Sequence, residues 1–310
     1  MRSIFQQPEF YRFIESTGFL EPFRYSVERD GKEVGVIQGF IQKDGGLFKQ
    51  FLSRRAIING GPWLAEDITV EEVEKLLKKC IEGLKKKAIY IETRNYIDFS
   101  NYKHIFEKTG FVYEPHYDFI VDTSSVEVME SNMGKSRKRD VNASIKQGVT
   151  IVDNPTEAEV TEFYAILEEL YRKKVKTPLF SKDFFLKLWS APFSKFILVK
   201  FQDKIIGGTV CICDDEAVYE WFACGKDGVY KNVFPSTVAT YYGIRFAADN
   251  SFRKFDMMGA GAPGDGGYGV REFKAKFGGE LVEYGRFKYI CNKSLYTFGE
   301  FGVTLLKKLK

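Results

Sequence analysis

One order of elements is written twice along this chain, and the repetition limits the fold more than any single motif does. The first half opens with Phe10, Phe13 and Ile14 at helical spacing within residues 8–17. Alternating runs over 23–29 and 33–42 follow, split by the turn Asp30-Gly31. A third run, 51–58, stops at Asn59-Gly60-Gly61-Pro62. A helix is predicted over 70–87 from the stripe Val73, Leu76, Leu77, Ile81 and Leu84. A buried strand over 88–93, a helix over 101–109 halted by Gly110, and a strand over 113–121 complete the half. The second half repeats the plan. It predicts helices over 155–173, beginning at Thr156, and over 181–189, with Ser181 as N-cap. Strands are predicted over 196–201, 205–213 and 217–224, then a helix from Pro235 to about 250, a strand over 255–258, a helical turn over 271–277, and a last strand over 282–291.

Interleaved strands and helices of this kind form an α/β layered domain, and two similar halves imply an internal duplication. Four or so strands per half, with helices on both faces, are expected. The polar, basic and helix-patterned segment 126–148 reads as the hinge. The expected division is residues 1–147 plus 294–310 for one domain and 148–293 for the other. In that scheme an amphipathic tail helix, 295–309, packs back on the first domain through Leu295, Phe298, Leu305 and Leu309.

Composition excludes several classes of function. The chain has 310 residues, 44% of them hydrophobic and 28% charged, a globular mixture with ample core. A net charge of +4 does not by itself mark a nucleic-acid binder; the local runs GKSRKRDVNASIK (134–146) and YRKKVK (171–176) are more informative. The five cysteines form no CxxC pair and their count is odd, which fits reduced thiols; Cys211 and Cys213 alternate as small core residues on one side of a strand. With two histidines and no Cys/His cluster, no metal and no cofactor is expected. No basic-then-apolar leader and no apolar run of membrane-spanning length is present, so a cytoplasmic protein is expected, with peripheral contact to the inner membrane surface left open.

The order of strands 196–224, helix from Pro235 and the short strand ending FDMMGAG matches a GNAT-type acyltransferase domain. Acyl-CoA enzymes of that fold carry a Gly-rich pyrophosphate loop at the helix start. Here the stretch is KDGVYKNVFPS, residues 226–236, with Gly228 alone, so the pattern for acyl-CoA is absent. Six pieces instead resemble, in order, the Fem family of peptidoglycan-bridge aminoacyltransferases: FQQPEFYR (5–12), NGGP (59–62), KSRKRDVNASIKQGV (135–149), YRKK (171–174), the stretch 219–235, and FKAKFG (273–278), similar to the family's Phe-Lys-x-x-Phe signature. Together they span nearly the whole chain. The sequence departs from the family at Glu92-Thr93-Arg94-Asn95, where members often carry an acid just after the strand, and at Tyr171, which replaces a Glu.

The resemblance implies two tandem GNAT-like domains, mixed sheets flanked by helices, and transfer of an amino acid from aminoacyl-tRNA to an amine of a nucleotide- or lipid-linked cell-wall precursor. It implies that Lys274, set between Phe273 and Phe277, lies in the donor channel and stabilises the developing oxyanion or orients the tRNA end. It places Arg12 and Arg172 at phosphate-contacting positions, where a guanidinium grips phosphate bidentately. Read from charge alone, Lys135, Arg137, Lys138 and Arg139 form a helix face able to meet tRNA phosphates, or a solvated linker face. Tyr219 and Trp221 alternate on a strand and either stack on substrate or fill the core; Asp256 stands at a strand end as a proton acceptor. No Ser-His-Asp or Cys-His set is legible, which argues against a covalent intermediate. Two rivals remain open: an acyl-CoA-dependent transferase acting on a sugar or lipid amine, and a non-catalytic duplicate that binds precursor or RNA.

Overall fold

The computed structural model describes residues 2–43, 50, 52–175, 177–266 and 268–299. They form two compact units, Met1–His116 with Glu283–Lys310, and Tyr117–Val282. Most of the expected tail helix, including Leu305 and Leu309, lies outside the described residues.

In the first unit, helix α1 (Pro8–Ser16) precedes β1 (Glu21–Arg29), β2 (Lys32–Gln42), β3 (Arg55–Gly60) and the two-residue β4 (Trp63–Leu64). Helix α2 (Val70–Leu84) then carries the chain to β5 (Tyr90–Asn95), α3 (Lys103–Lys108) and β6 (Val112–Glu114). The start of α2 is fixed by a capping box in which Thr69 and Glu72 satisfy each other's backbone amides. Its stripe of Val73, Leu76, Leu77, Ile81 and Leu84 packs with Ile37, Ile58, Ile91 and Phe106 in a single core. β2 and β3 approach so closely at Gly39 that a Cβ there would lie 2.1 Å from the Ile57 carbonyl oxygen.

The second unit holds β7 (Tyr117–Asp122), α4 (Val126–Asn132), α5 (Lys135–Lys146), β8 (Thr150–Val152), α6 (Glu157–Leu170) and α7 (Lys182–Trp189). Three antiparallel strands follow: β9 (Ser194–Phe201), β10 (Lys204–Cys213) and β11 (Ala217–Gly225). Helix α8 (Pro235–Asp249), β12 (Lys254–Asp256), α9 (Tyr268–Ala275) and β13 (Glu280–Glu283) complete it, and β14 (Arg286–Ile290) comes last. A second capping box, Thr156 with Glu159, opens α6. Cys211 is buried in this unit's core and Cys213 packs against it, on one side of β10 as their alternation requires.

Among the described residues each sheet has seven strands, more than the four or so expected. Their orders are β1-β2-β3-β5-β14-β6, with β4 on β2, and β13-β7-β12-β11-β10-β9-β8. In each, an antiparallel run leads through a crossover helix to a parallel pair, β3 with β5 and β11 with β12. Each parallel pair is then flanked by an antiparallel strand, β14 on β5 and β7 on β12. The duplication therefore extends to strand order.

The boundaries fall at 116/117 and 282/283 rather than at 147/148 and 293/294. Two runs that read as single strands are each two strands in different sheets. Residues 113–121 divide into β6 and β7 around Pro115, which has no amide to donate to a ladder. Residues 282–291 divide into β13 and β14 at Gly285, whose φ of +63° suits glycine. The segment 126–148 is a pair of helices belonging to the second unit, where Ser144 accepts a hydrogen bond from the Phe234 amide at 3.0 Å.

Candidate active site

In the second sheet, β11 and β12 pair in parallel only as far as Tyr219 and Asp256. β11 continues to Gly225 along β10, with a bulge that leaves Trp221 as the extra residue between Glu220 and Phe222. The chain beyond β12 turns away through left-handed backbone at Met258 (φ +55°), Gly259 (φ +102°) and Gly261 (φ +81°). A strand pair that parts in this way exposes backbone carbonyls with no ladder partner.

Lys274, on α9, fills that place. Its ammonium donates to the Met257 carbonyl and, at 2.7 Å, to the Gly259 carbonyl. An ammonium has three donors, so one N–H remains for an external oxygen. Phe273 and Phe277 sit edge to face with centroids 5.2 Å apart, and Phe277 is fully buried, which fixes the helix carrying the lysine. The chain after Phe277 needs glycine: Gly278 has φ +83°, and a Cβ there would lie 2.3 Å from the Asn132 carbonyl oxygen.

Three buried carboxyl groups gather near this ammonium. Glu220 accepts hydrogen bonds from Thr240 at 2.8 Å and Thr209 at 3.2 Å. Burial pushes its pKa up, and Lys274 pulls it back. Asp118 accepts from the Phe119 amide at 2.7 Å; burial raises it, opposed in part by Asp256, the Gly259 amide and Lys274. Asp256 is fully buried and accepts from the Met258 amide at 2.8 Å, while its Oδ2 has no partner. Its pKa is raised well above the ordinary carboxyl value, first by burial and then by the adjacent Asp118 carboxylate. Two carboxyl groups so placed hold one proton between them, and that proton supplies the donor Oδ2 lacks.

The proposed RNA-facing helix does not present all four of its cations outward. Arg137 turns in, with its side chain 12% exposed. Its guanidinium stacks 4.4 Å from the Phe273 ring centroid and donates to Thr237 at 3.2 Å and the Phe273 carbonyl at 3.4 Å. It thus braces the Phe-Lys-x-x-Phe segment. Lys135 and Arg139 are exposed, Arg139 paired with Asp140 at 3.2 Å, and Lys138 is half-buried.

The other sequence-derived residues lie elsewhere. Tyr219 is buried and donates to Asp214 at 3.0 Å. Trp221 packs edge-on against Phe180 and Phe184, which favours the core reading. Arg172 is exposed on the π-helical turn Tyr171–Val175. Arg12 is exposed in the first unit, paired with Glu9 at 2.8 Å. Glu220, Asp118, Thr209 and Thr240 were not singled out from sequence, although a lone acid inside VYEWF and another inside HYDFIV were visible signals. Burial raises the thiols, Cys213 to about 12 and Cys291 to about 11, so neither offers a thiolate nucleophile near neutrality. Among the described residues no group of His, Cys, Asp and Glu is placed to hold a metal ion, and no helix is long and apolar enough to cross a membrane.

Residues 191–302 match the model of the FemAB family. Among solved structures, FemX shares 15% identity over 95% of this chain and 94% of its own, with a TM-score of 0.72. L-PGS from Bacillus licheniformis shares 16% over 97% of each chain, TM-score 0.60. A tandem GNAT protein from the clavulanic acid biosynthesis pathway shares 9% over 88% of this chain and 84% of its own, TM-score 0.55. No curated protein sequence matches the chain.

Proposed function

From a chain that is of the Fem type, with two GNAT-like domains, we propose an aminoacyltransferase that moves an amino acid from aminoacyl-tRNA to an amine on a nucleotide- or lipid-linked cell-wall precursor. The observation that carries the reading is the Phe273-Lys274-Phe277 segment inside the FemAB match, with its ammonium held by two carbonyls and one N–H left over. In this mechanism the acceptor amine attacks the ester carbonyl of the donor. The carbon–oxygen bond to the tRNA ribose breaks, and the ribose hydroxyl leaves with a proton. Lys274 addresses the carbonyl oxygen as it gains charge. Because its two other donors are already fixed, little reorganisation is needed at that moment. Catalysis thus rests on positioning and electrostatics, without a covalent enzyme intermediate.

Arg12 and Arg172 are assigned to acceptor phosphate, and the exposed Lys135 and Arg139 with the half-buried Lys138 to the phosphate backbone of the donor. Arg137 leaves that set, because its charge is spent on Phe273 and Thr237. Placement in the cytoplasm follows from the two substrates in this reading.

The test is incubation of the purified chain with a pool of charged tRNAs and either a nucleotide-linked or a lipid-linked precursor, read by mass spectrometry. The expected product is the precursor enlarged by one amino-acid residue. Absence of any adduct, together with stoichiometric binding of acetyl-CoA by calorimetry, would replace this reading with the acyl-CoA one.

A further inference from the structure

The first unit carries a cluster of cations that the transfer chemistry above does not use. In its sheet, antiparallel register sets Arg286 directly opposite Arg94 on β5 and opposite Glu114 on β6, and sets Lys288 opposite Glu92. The parallel register sets Arg55 of β3 opposite Tyr90. Residues opposite one another share a face, so Arg55, Glu92, Arg94, Glu114, Arg286 and Lys288 line one side of the sheet. The alternate residues Ile91 and Phe287 fill the core on the other side.

Arg94, Arg286 and Lys288 face two carboxylates here, Glu92 and Glu114, an excess of one positive charge. Glu92 alone meets three of the cations: Arg94 Nε at 2.9 Å, a terminal nitrogen of Arg286 at 3.6 Å and Lys288 Nζ at 4.0 Å. Burial pushes Glu92 up, but Arg94, Arg286 and Lys288 outweigh it and hold the carboxyl below its ordinary value. Burial and the facing Arg94 act in the opposite sense on Arg286, whose pKa is lowered although Glu92 supports it. Like charges directly opposite on neighbouring strands destabilise a sheet. Lys288 is held by both Glu114 oxygens at 2.8 Å, which leaves Glu92 to balance the two facing guanidiniums.

The donors are also only partly used. Arg94 spends Nε on Glu92, and its two terminal nitrogens reach no partner among the described residues, while its side chain is 38% exposed. Arg286 points one terminal nitrogen at His116 Nε2, 2.9 Å away, and its side chain is 28% exposed. The cluster lies toward the carboxyl end of β5, one of the two parallel strands, where open α/β sheets receive ligands. Lys288 also stands between the Tyr90 and Tyr296 rings, 5.7 and 5.8 Å from their centroids, which limits its freedom to swing away.

We infer that this face, with Arg94 and Arg286 as its fork, binds a phosphate-type dianion borne by a small molecule. A planar guanidinium with two free terminal N–H groups matches a tetrahedral oxyanion bidentately, and a second guanidinium opposite it closes the grip. Glu92 sets the limit on affinity, since it competes with the ligand for the same three cations. The inference stands on the first unit alone, so an inactive transfer assay would leave it intact.

The test is calorimetric titration of the full chain with pyrophosphate, with melting temperature recorded for every variant. Saturable binding that weakens as salt rises is expected for the wild type. Arg94→Gln and Arg286→Gln should each weaken it by about tenfold or more, the scale of losing a charged hydrogen bond. Glu92→Gln should tighten it several-fold, and Arg253→Gln, an exposed cation of the second unit, should leave it unchanged. Vesicles containing phosphatidic acid, whose phosphomonoester can carry two negative charges, against vesicles of phosphatidylcholine alone, distinguish the source. Vesicle binding lost in the two arginine variants assigns a lipid-borne phosphate; pyrophosphate binding without vesicle binding assigns a soluble one. Absence of saturable binding to both probes, or equal affinity in wild type and the arginine variants, overturns the inference. If an arginine variant fails to fold, Glu92→Gln decides: unchanged or weaker binding refutes it.

Discussion

Asp256→Asn should make the protein more stable at neutral pH, although it alters a fully buried residue of the candidate active site. Asp256 Oδ1 accepts the Met258 amide, while Oδ2 is buried beside Asp118 and depends on the proton the two share. An amide keeps the first interaction and turns an N–H toward the Asp118 carboxylate. The amide makes this contact at every pH, whereas the aspartate makes it only while the pair retains its shared proton. The pH dependence follows from the raised folded-state pKa. Below the unfolded pKa of about 3.9 both states are protonated and the aspartate costs nothing extra. As pH rises from there toward the folded pKa, the folded state binds more protons than the unfolded state, and stability falls by up to about 1.4 kcal/mol per pH unit. The variant should therefore match wild type near pH 4 and gain on it toward pH 7, as read from urea midpoints across that range. A variant less stable than wild type at pH 7, or a difference that does not change with pH, refutes the shared-proton account of Asp118 and Asp256.

Three further outcomes are expected. Lys274→Met should cost about 10²–10³ in single-turnover transfer from charged tRNA, and, because it orphans the Met257 and Gly259 carbonyls, also about 2–4 kcal/mol of stability in urea; wild-type transfer by a folded variant removes the lysine from the mechanism. Arg137→Ala should lower the melting temperature by several degrees, corresponding to about 2–3 kcal/mol, and Arg137→Lys should rescue it poorly because the stack on Phe273 needs a plane; full rescue by lysine would return Arg137 to the role of a simple charge. Gly39→Ala should destabilise by about 3 kcal/mol or more, because its Cβ would collide with the Ile57 carbonyl and part β2 from β3; an unchanged denaturation midpoint would contradict that packing.

The repeated element order was legible because helical and strand periodicities are local. The exchange of strands between the sheets was not. Residues 113–121 and 282–291 each keep strand-like composition across a break, and only the single residues Pro115 and Gly285 mark where one ladder ends and another begins. The Phe273-Lys274-Phe277 segment was legible as a motif, but its carbonyl partners come from the left-handed turn after β12, which no spacing announces. Arg137 shows what charge counting omits. Arg137, Val141 and Ser144 recur at i, i+4 and i+7, one face of α5, and Val141 and Ser144 are buried. That periodicity was available, and it outranks the basic run in deciding which way the guanidinium points. Glu220 and Asp118 were visible as lone acids in apolar strands. Their convergence depends on the pairing of β11, β12 and β7, which is non-local.

The duplication also explains where the chemistry collects. β5 and β12 hold corresponding places, each the second strand of a parallel pair, and β14 and β7 hold the next place outward. In the first unit these two strands supply Glu92, Arg94, Arg286 and Lys288; in the second they supply Asp256 and Asp118, joined by Glu220 from β11. One topological position has thus been given opposite charge in the two halves. A parting or terminating parallel pair leaves unsatisfied backbone, and side chains placed there meet a ligand with their own orientation already fixed. The cation-rich copy suits an anionic group. The carboxyl-rich copy, with its single lysine, suits an amine and a carbonyl oxygen that gains charge. A duplicated fold supplies two scaffolds at this one topological position, on which side chains of opposite charge can diverge independently.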